Sequence, residues 1–343
     1  MAEERTQRRK SLIGTALCAG SAIGGVVTAV LAFGWHPTGV GGDAWNYLAA
    51  GERLNAGHAL YALSPFDRPV PLAPPYWSVP LLAPPPIAVA WRLLAPMGDA
   101  AMVLWCVGGL LTVAATVLLL SNRPAFWPVI ALLAAPVTLT ALSGNASAYM
   151  LAALVAAWAC RGRPWIVGAL VAAMVAVKLT PVSLLVWLVA TRRYRAVGAA
   201  LAIGLAMGAA SLAGAGLEAW RTWLEFVPVS KPSPLAISTQ LGVPTWSVVL
   251  AALAMVAGTW MVTKSDRATF AAAVLAAALA TPALYFQALA LPLAMVAPWA
   301  PRHDREDPRS LSERLARARD SFRHLDFVQL HRRNRRTEPP LPS

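Results

Sequence analysis

From residue 12 to residue 299 the chain is a succession of apolar windows, several about 20 residues long, and the window over 101–121 carries no charged residue. A helix needs roughly 20 apolar residues to cross the hydrocarbon core of a bilayer. Inside lipid every backbone polar group must find its partner within the protein, which leaves helices and closed barrels as the only spanning structures. The Ala, Leu and Val runs lack the strict alternation of a half-buried strand. They predict an all-α polytopic integral membrane protein. Charged residues make up 13% of the chain, about half the share of a soluble domain.

Windows near 12–33, 79–97, 101–120, 125–142, 146–160, 164–190, 196–215, 244–263, 268–282 and 286–299 predict about ten transmembrane helices, within a range of 9–11. Residues 1–11 are then a basic cytoplasmic N-terminus, 12–299 the transmembrane domain and 300–343 a basic cytoplasmic tail. Leu12 to Phe33 is long enough for an uncleaved span rather than a cleaved leader, with Trp35 at its outer edge as an interfacial anchor. Within the tail, Leu311, Leu315, Ala318, Phe322 and Leu325 recur at helical spacing among arginines. That pattern predicts an amphipathic helix on the inner leaflet, held by anionic lipid, before a disordered end.

The net charge of +13 lies in Arg5 to Lys10, in Arg192, Arg193 and Arg195, and in the tail from Arg302 to Arg336. Those positions flank apolar segments, the pattern of positively charged cytoplasmic loops, so the basic balance points to membrane lipids and away from nucleic acid. Arg123, Arg161 and Arg163 depart from it: the ten-span order puts them on the outer side. Cys18, Cys106 and Cys160 fall in apolar segments without metal-type spacing. No HExxH, CxxC pair, Walker glycine loop or Asp-x-Asp occurs, so neither a metal nor a cofactor is expected.

Two long polar connections, 34–78 and 216–243, fall on the outer side. The first contains Gly41-Gly42-Asp43-Ala44-Trp45-Asn46-Tyr47. Residues 43–55 read as a short helix on the membrane surface, opened by Asp43 as N-cap and closed near Gly57. Asn46 and Tyr47 then share the side nearest Asp43, while Tyr61, Tyr76 and Trp77 are aromatic residues suited to headgroup level. A carboxylate here either caps the helix or accepts the proton of an attacking hydroxyl. Lys178 is a cation inside an apolar segment, where charge costs about 2.5–3.5 kcal/mol at mid-bilayer. It either faces a cavity and an anionic phosphate or snorkels to an interface. Pro181 interrupts the segment beside it, which is then one long kinked span, as the ten-span count takes it, or two half-spans. Ser143-Gly144-Asn145, and Thr281 to Gln287 with Tyr285 between them, are further polar breaks compatible with a cavity wall.

The order of these features resembles the family 87 glycosyltransferases, within the multi-span GT-C fold that uses polyprenyl-phosphate sugars. The matching stretches are GGDAWNYLAAGERLNAGHALY (41–61), YWSVPLLAPPPIAV (76–89), SGNASAYMLAALVAAWA (143–159), GALVAAMVAVKLTPVSLL (168–185) and RRYRA (192–196). STQLGVPTW (238–246) and TPALYFQALALP (281–292) continue the series, and Gln240 joins Asn46, Tyr47, Tyr61, Asn145, Tyr285 and Gln287 as a candidate lining of the substrate cavity. The resemblance implies inverting transfer of a sugar, mannose or arabinofuranose, from a lipid-linked donor outside the cytoplasmic membrane to an envelope glycolipid or polysaccharide of the actinobacterial kind. It makes Asp43 the base and puts Lys178 near the donor phosphate. The chain departs from the family in having Tyr285, Phe286 and Gln287 where relatives often have a histidine, and in lacking an asparagine ahead of Ser238. A transporter or flippase of lipid-linked saccharide, the competing class, would show repeated broken spans with a midplane site.

Overall fold

The computed structural model describes residues 20, 23–27, 41–61, 81–121, 123, 126–229, 233, 235–281, 284 and 286–299. The first apolar window is therefore described only in small part. Residues 62–80, with Tyr76 and Trp77, Tyr285, and the basic tail lie outside the described residues.

Helices dominate the described residues. They are α1 (Gly42–Asn55), α2 (Pro85–Leu94), α3 (Asp99–Ser121), α4 (Phe126–Leu142), α5 (Ser147–Ala159), α6 (Pro164–Val177), α7 (Ser183–Ala190) and α8 (Tyr194–Val229). After them come α9 (Ile237–Leu241), α10 (Thr245–Thr263), α11 (Asp266–Leu279) and a 3-10 segment, Phe286–Val296. Among the described residues three stretches, Asp99–Ser121, Tyr194–Glu225 and Thr245–Thr263, are long and apolar enough to cross a membrane, or four if the bent pair α4 and α5 counts as one span. Their outward side chains are apolar and exposed, among them Leu111, Leu118 and Leu119 on α3, Leu205 on α8 and Val262 on α10. Such surfaces suit lipid as their solvent.

The shorter helices have identifiable causes. The window over 79–97 was expected to span, but it folds as the ten residues of α2 and one 3-10 turn, Ala95–Met97. Pro84 is its N-cap and Pro85 and Pro86 open its first turn, so the helix starts at the prolines, and Pro96 in the following 3-10 turn prevents its continuation. At about 1.5 Å per residue α2 reaches only half-way across a bilayer. The window over 164–190 is two half-length helices: α6 stops at Val177, Lys178 is extended at φ −145° and ψ 134°, and a 3-10 turn at Thr180–Val182 leads into α7. α4 and α5 form a hairpin bent by 119°.

Hydrogen bonds sort the helix ends onto two faces. At one, Leu142 and Ser143 meet Gly41 and Asp43, Trp105 meets Gly144, Arg92 meets Gly214 and Trp223 meets Leu82. At the other, Asp266 receives both terminal nitrogens of Arg193 at 2.8 Å and Trp187 Nε1 at 2.8 Å, with Arg161 Nε at 3.7 Å. Arg161 stacks over Trp158 at 4.3 Å, and Trp158, Trp187 and Phe270 pack together beneath. Arg123 follows α3, whose opposite end carries Trp105, so α3 places it about 27 Å away on this second face. Arg123, Arg161 and Arg163 therefore share a face with Arg192, Arg193, Arg195 and Lys264. This corrects the ten-span expectation, which set the first three on the opposite side from Arg193.

Candidate functional site

The site lies where the first turn of α1 docks on the elbow between α4 and α5. Gly41 N–H donates to the Leu142 carbonyl at 2.9 Å, and Asp43 N–H donates to the Ser143 carbonyl at 3.1 Å. Trp105 Nε1 donates to the Gly144 carbonyl at 2.8 Å, pinning the elbow to α3 as well. Gly144 has φ +67°, a left-handed conformation that favours glycine. A Cβ there would lie 2.8 Å from Ala44 Cβ and 2.9 Å from Cys106 Sγ, so two chain segments meet where no side chain fits.

This docking brings together groups that are far apart in sequence. Asn145 Nδ2 donates to Asp43 Oδ2 at 2.8 Å. Asn145 Oδ1 accepts the Ser147 N–H at 2.8 Å, and Lys178 Nζ donates to Ser147 Oγ at 3.0 Å. A hydrogen-bonded path thus runs from the carboxylate of α1 through the elbow to the cation at the end of α6. Ser143 Oγ is buried beside the carboxylate and has no hydrogen-bond partner of standard geometry among the described residues. Beneath it, Tyr47 packs against Trp91 and Trp105 at centroid distances of 5.9 and 6.1 Å, and Trp105 packs on Tyr149 at 4.4 Å.

Burial in this aromatic bed pushes the Asp43 carboxyl above its ordinary 3.8, and the Asn145 hydrogen bond, the charge of Lys178 and Ser143 offset only part of the rise. The result is a carboxylate whose affinity for a proton exceeds that of an exposed aspartate, the property required of a general base. Asp43 also stands in the first turn of α1, where the helix dipole favours the ionised form.

Asp43, Tyr47, Asn145 and Lys178 are therefore brought together. The N-cap reading of Asp43 is corrected: Gly41 is the N-cap of α1 and makes no side-chain capping bond, while Asp43 sits within the first turn and bonds to Asn145 instead. Asn46 follows on the same turn, half-buried. Tyr61 does something different, donating its hydroxyl to the Ala83 carbonyl at 2.9 Å and so tying the end of the α1 connection to the start of α2. Gln240 is exposed on α9, and the Gln287 carbonyl accepts the Thr140 hydroxyl on the last turns of α4 at 2.6 Å. Ser147 and Trp105 went unnoticed in the sequence. Ser147 stands two residues beyond a polar break and was readable as part of it, whereas Trp105 is one aromatic in an apolar span and gave no signal. Among the described residues no group of three or more His, Cys, Asp or Glu side chains converges.

Helices that suit lipid, with a polar cluster packed on aromatics at one of their ends, define an integral membrane protein. The chain belongs to glycosyltransferase family 87, whose model matches residues 81–316, and it is a membrane glycosyltransferase. No curated protein matches the chain, and no solved structure does. The family match begins after α1, so Asn145, Ser147 and Lys178 lie within it and Asp43 does not.

Proposed function

We propose that this enzyme transfers a sugar from a polyprenyl-phosphate donor to an envelope glycolipid or polysaccharide, with inversion, and that Asp43 is its base. Mannose is the preferred sugar and arabinofuranose the alternative. The observation that carries the reading is the Asp43–Asn145 contact of 2.8 Å with Lys178 bonded one residue pair further on. It joins a proton acceptor and a fixed cation at one end of the helices.

In the reaction Asp43 takes the proton of the acceptor hydroxyl as its oxygen bonds to the anomeric carbon. The bond from that carbon to the phosphate oxygen breaks, and its electron pair leaves on the phosphate. The carboxylate loses one negative charge and the leaving polyprenyl phosphate gains one. Lys178 and the backbone N–H groups at the start of α5 supply fixed positive potential for that gain, the usual electrostatic contribution in such sites. A lipid-linked donor reaches such a site laterally through the bilayer.

The arginine-rich face favours the cytoplasm under the positive-inside tendency, which turns the site outward in the cytoplasmic membrane. The deciding experiment offers purified protein in lipid either polyprenyl-phosphate mannose or polyprenyl-phosphate arabinofuranose, with a membrane glycolipid extract as acceptor. Wild type should transfer from one donor, and Asp43→Asn should lose about 10²–10⁴-fold in rate. Undiminished transfer by folded Asp43→Asn would overturn the base assignment.

A further inference from the structure

The carboxylate of Asp43 has two oxygens, and the elbow treats them differently. A side-chain amide offers one end that only accepts and one that only donates. The Ser147 backbone N–H, a donor, faces the Asn145 oxygen at 2.8 Å. The amide nitrogen must therefore face Asp43, and at 2.8 Å from Oδ2 it can only donate. That bond uses one lone pair of Oδ2 and draws charge from it, so Oδ1, which receives nothing from Asn145, is the more basic of the two oxygens.

We propose that Asn145 is the positioning residue of this site, reserving Oδ2 of Asp43 as a hydrogen-bond acceptor so that Oδ1 is the oxygen that receives the acceptor's proton. The inference rests on the reading of Asp43 as base and deepens it. A carboxylate free to rotate would present either oxygen at variable angle. Here rotation is blocked by an amide whose own orientation is set twice over. Ser147 N–H holds its oxygen, and the elbow that carries it is bonded to α1 at Gly41 and Asp43 and to α3 at Trp105. Lys178 extends the same path by donating to Ser147 Oγ, so the end of α6 braces the residue that braces Asn145. The titratable and charged groups that face Asp43 are Tyr47 on its own helix, Cys106 on α3 and Lys178 at the end of α6. The Asn145 bond is the largest of the influences that favour the ionised carboxylate against burial.

The test uses full-length protein in lipid, labelled polyprenyl-phosphate mannose or arabinofuranose and a membrane glycolipid extract, with initial rates followed across pH. Asn145→Ala should lower kcat about 10–100-fold, the scale of a misplacement near 1 Å, with donor KM within about twofold. Activity requires ionised Asp43, so the rate falls as pH drops through its pKa, and removing a bond that favours the ionised form moves that acidic limb to higher pH. If Asn145→Ala does not fold, Asn145→Leu keeps the volume and removes the donor to Oδ2, and the acidic limb moves upward in the same way. An unmoved acidic limb in a folded variant, or a raised KM at unchanged kcat, overturns the proposal. Asp43→Asn in parallel separates the two readings. Transfer surviving in Asp43→Asn refutes the base, whereas an inactive Asp43→Asn beside Asn145 variants of wild-type pH profile refutes the positioning role alone.

Discussion

Gly144→Ala puts the elbow itself on trial, because that glycine is where the chain crosses α1 most closely. The new Cβ would lie 2.8 Å from Ala44 Cβ and 2.9 Å from Cys106 Sγ, where ordinary contact begins near 3.4 Å, so the elbow must retreat by about 0.6 Å. Two costs follow. Holding alanine at φ +67° costs about 1–2 kcal/mol, and overpacking adds about 1–3 kcal/mol. The lower entropy of the unfolded alanine chain returns about 0.4–1 kcal/mol, leaving a net loss of about 2–4 kcal/mol. Gly57→Ala is the control: its φ is +73° but nothing lies within 4 Å of the added Cβ, so it carries the conformational cost alone. Thermal unfolding of both variants in the same lipid at one scan rate, needed because such unfolding is often irreversible, should show Gly144→Ala melting well below Gly57→Ala. A 0.6 Å retreat also stretches the Asp43–Asn145 bond, and with rates falling about 10²-fold per ångström of misplacement, transfer should drop about tenfold. Equal melting of the two variants with transfer intact would refute the close docking of α1 on the elbow.

Two further outcomes follow from the opposite face. Burial alone would raise the Asp266 carboxyl, but the Arg193 and Trp187 hydrogen bonds and the charges of Arg193 and Arg161 outweigh it and hold it below its ordinary 3.8. A depressed carboxylate contributes stability that is present above its unfolded pKa and lost as pH falls through the folded value. Asp266→Asn should therefore cost about 2 kcal/mol at neutral pH, the scale of hydrogen bonds to a charged group, with the gap to wild type closing below pH 3.8 in thermal melts. Single cysteines in an otherwise cysteine-free chain test the two faces: Arg163→Cys and Arg192→Cys should react with an impermeant maleimide from the same side of a sealed vesicle, and Ala56→Cys from the other. Labelling of Arg163→Cys together with Ala56→Cys would restore the ten-span order.

Much of the site was legible because polar residues in apolar surroundings are expensive and few. Asp43, Lys178 and the Ser143-Gly144-Asn145 break each stood out for that reason, and the structure joins all three. What the sequence could not show is that they meet. Asp43 and Asn145 are 102 residues apart, and their contact depends on α4 and α5 turning back at the elbow, which hydropathy reads only as two short windows. The N-cap expectation failed for a related reason. A capping aspartate and a first-turn aspartate look alike in sequence, and the choice was made by Asn145, a tertiary partner that can use the carboxylate better than the helix's own N–H groups. Tyr61 and Gln240 were singled out by residue type and loop position, and neither property says which way a side chain is used.

The error in topology has a definite form. A window counted as a crossing when it is not one reverses the side of everything after it, and a crossing overlooked later reverses it back. The proline-bounded α2 is the false crossing and the break at Lys178 the missed one, so the inversion covers residues between about 97 and 178 and leaves Arg192, Arg193 and Arg195 on the face opposite Asp43, as the ten-span order has them. Arg123, Arg161 and Arg163 all fall inside that interval, which is why the ten-span order sets these three arginines apart from the others. A single miscount would have thrown every later arginine to the wrong side. The confined violation, bounded by a proline cluster at one end and a lysine–proline break at the other, was thus itself evidence for the half-length helices that carry the site.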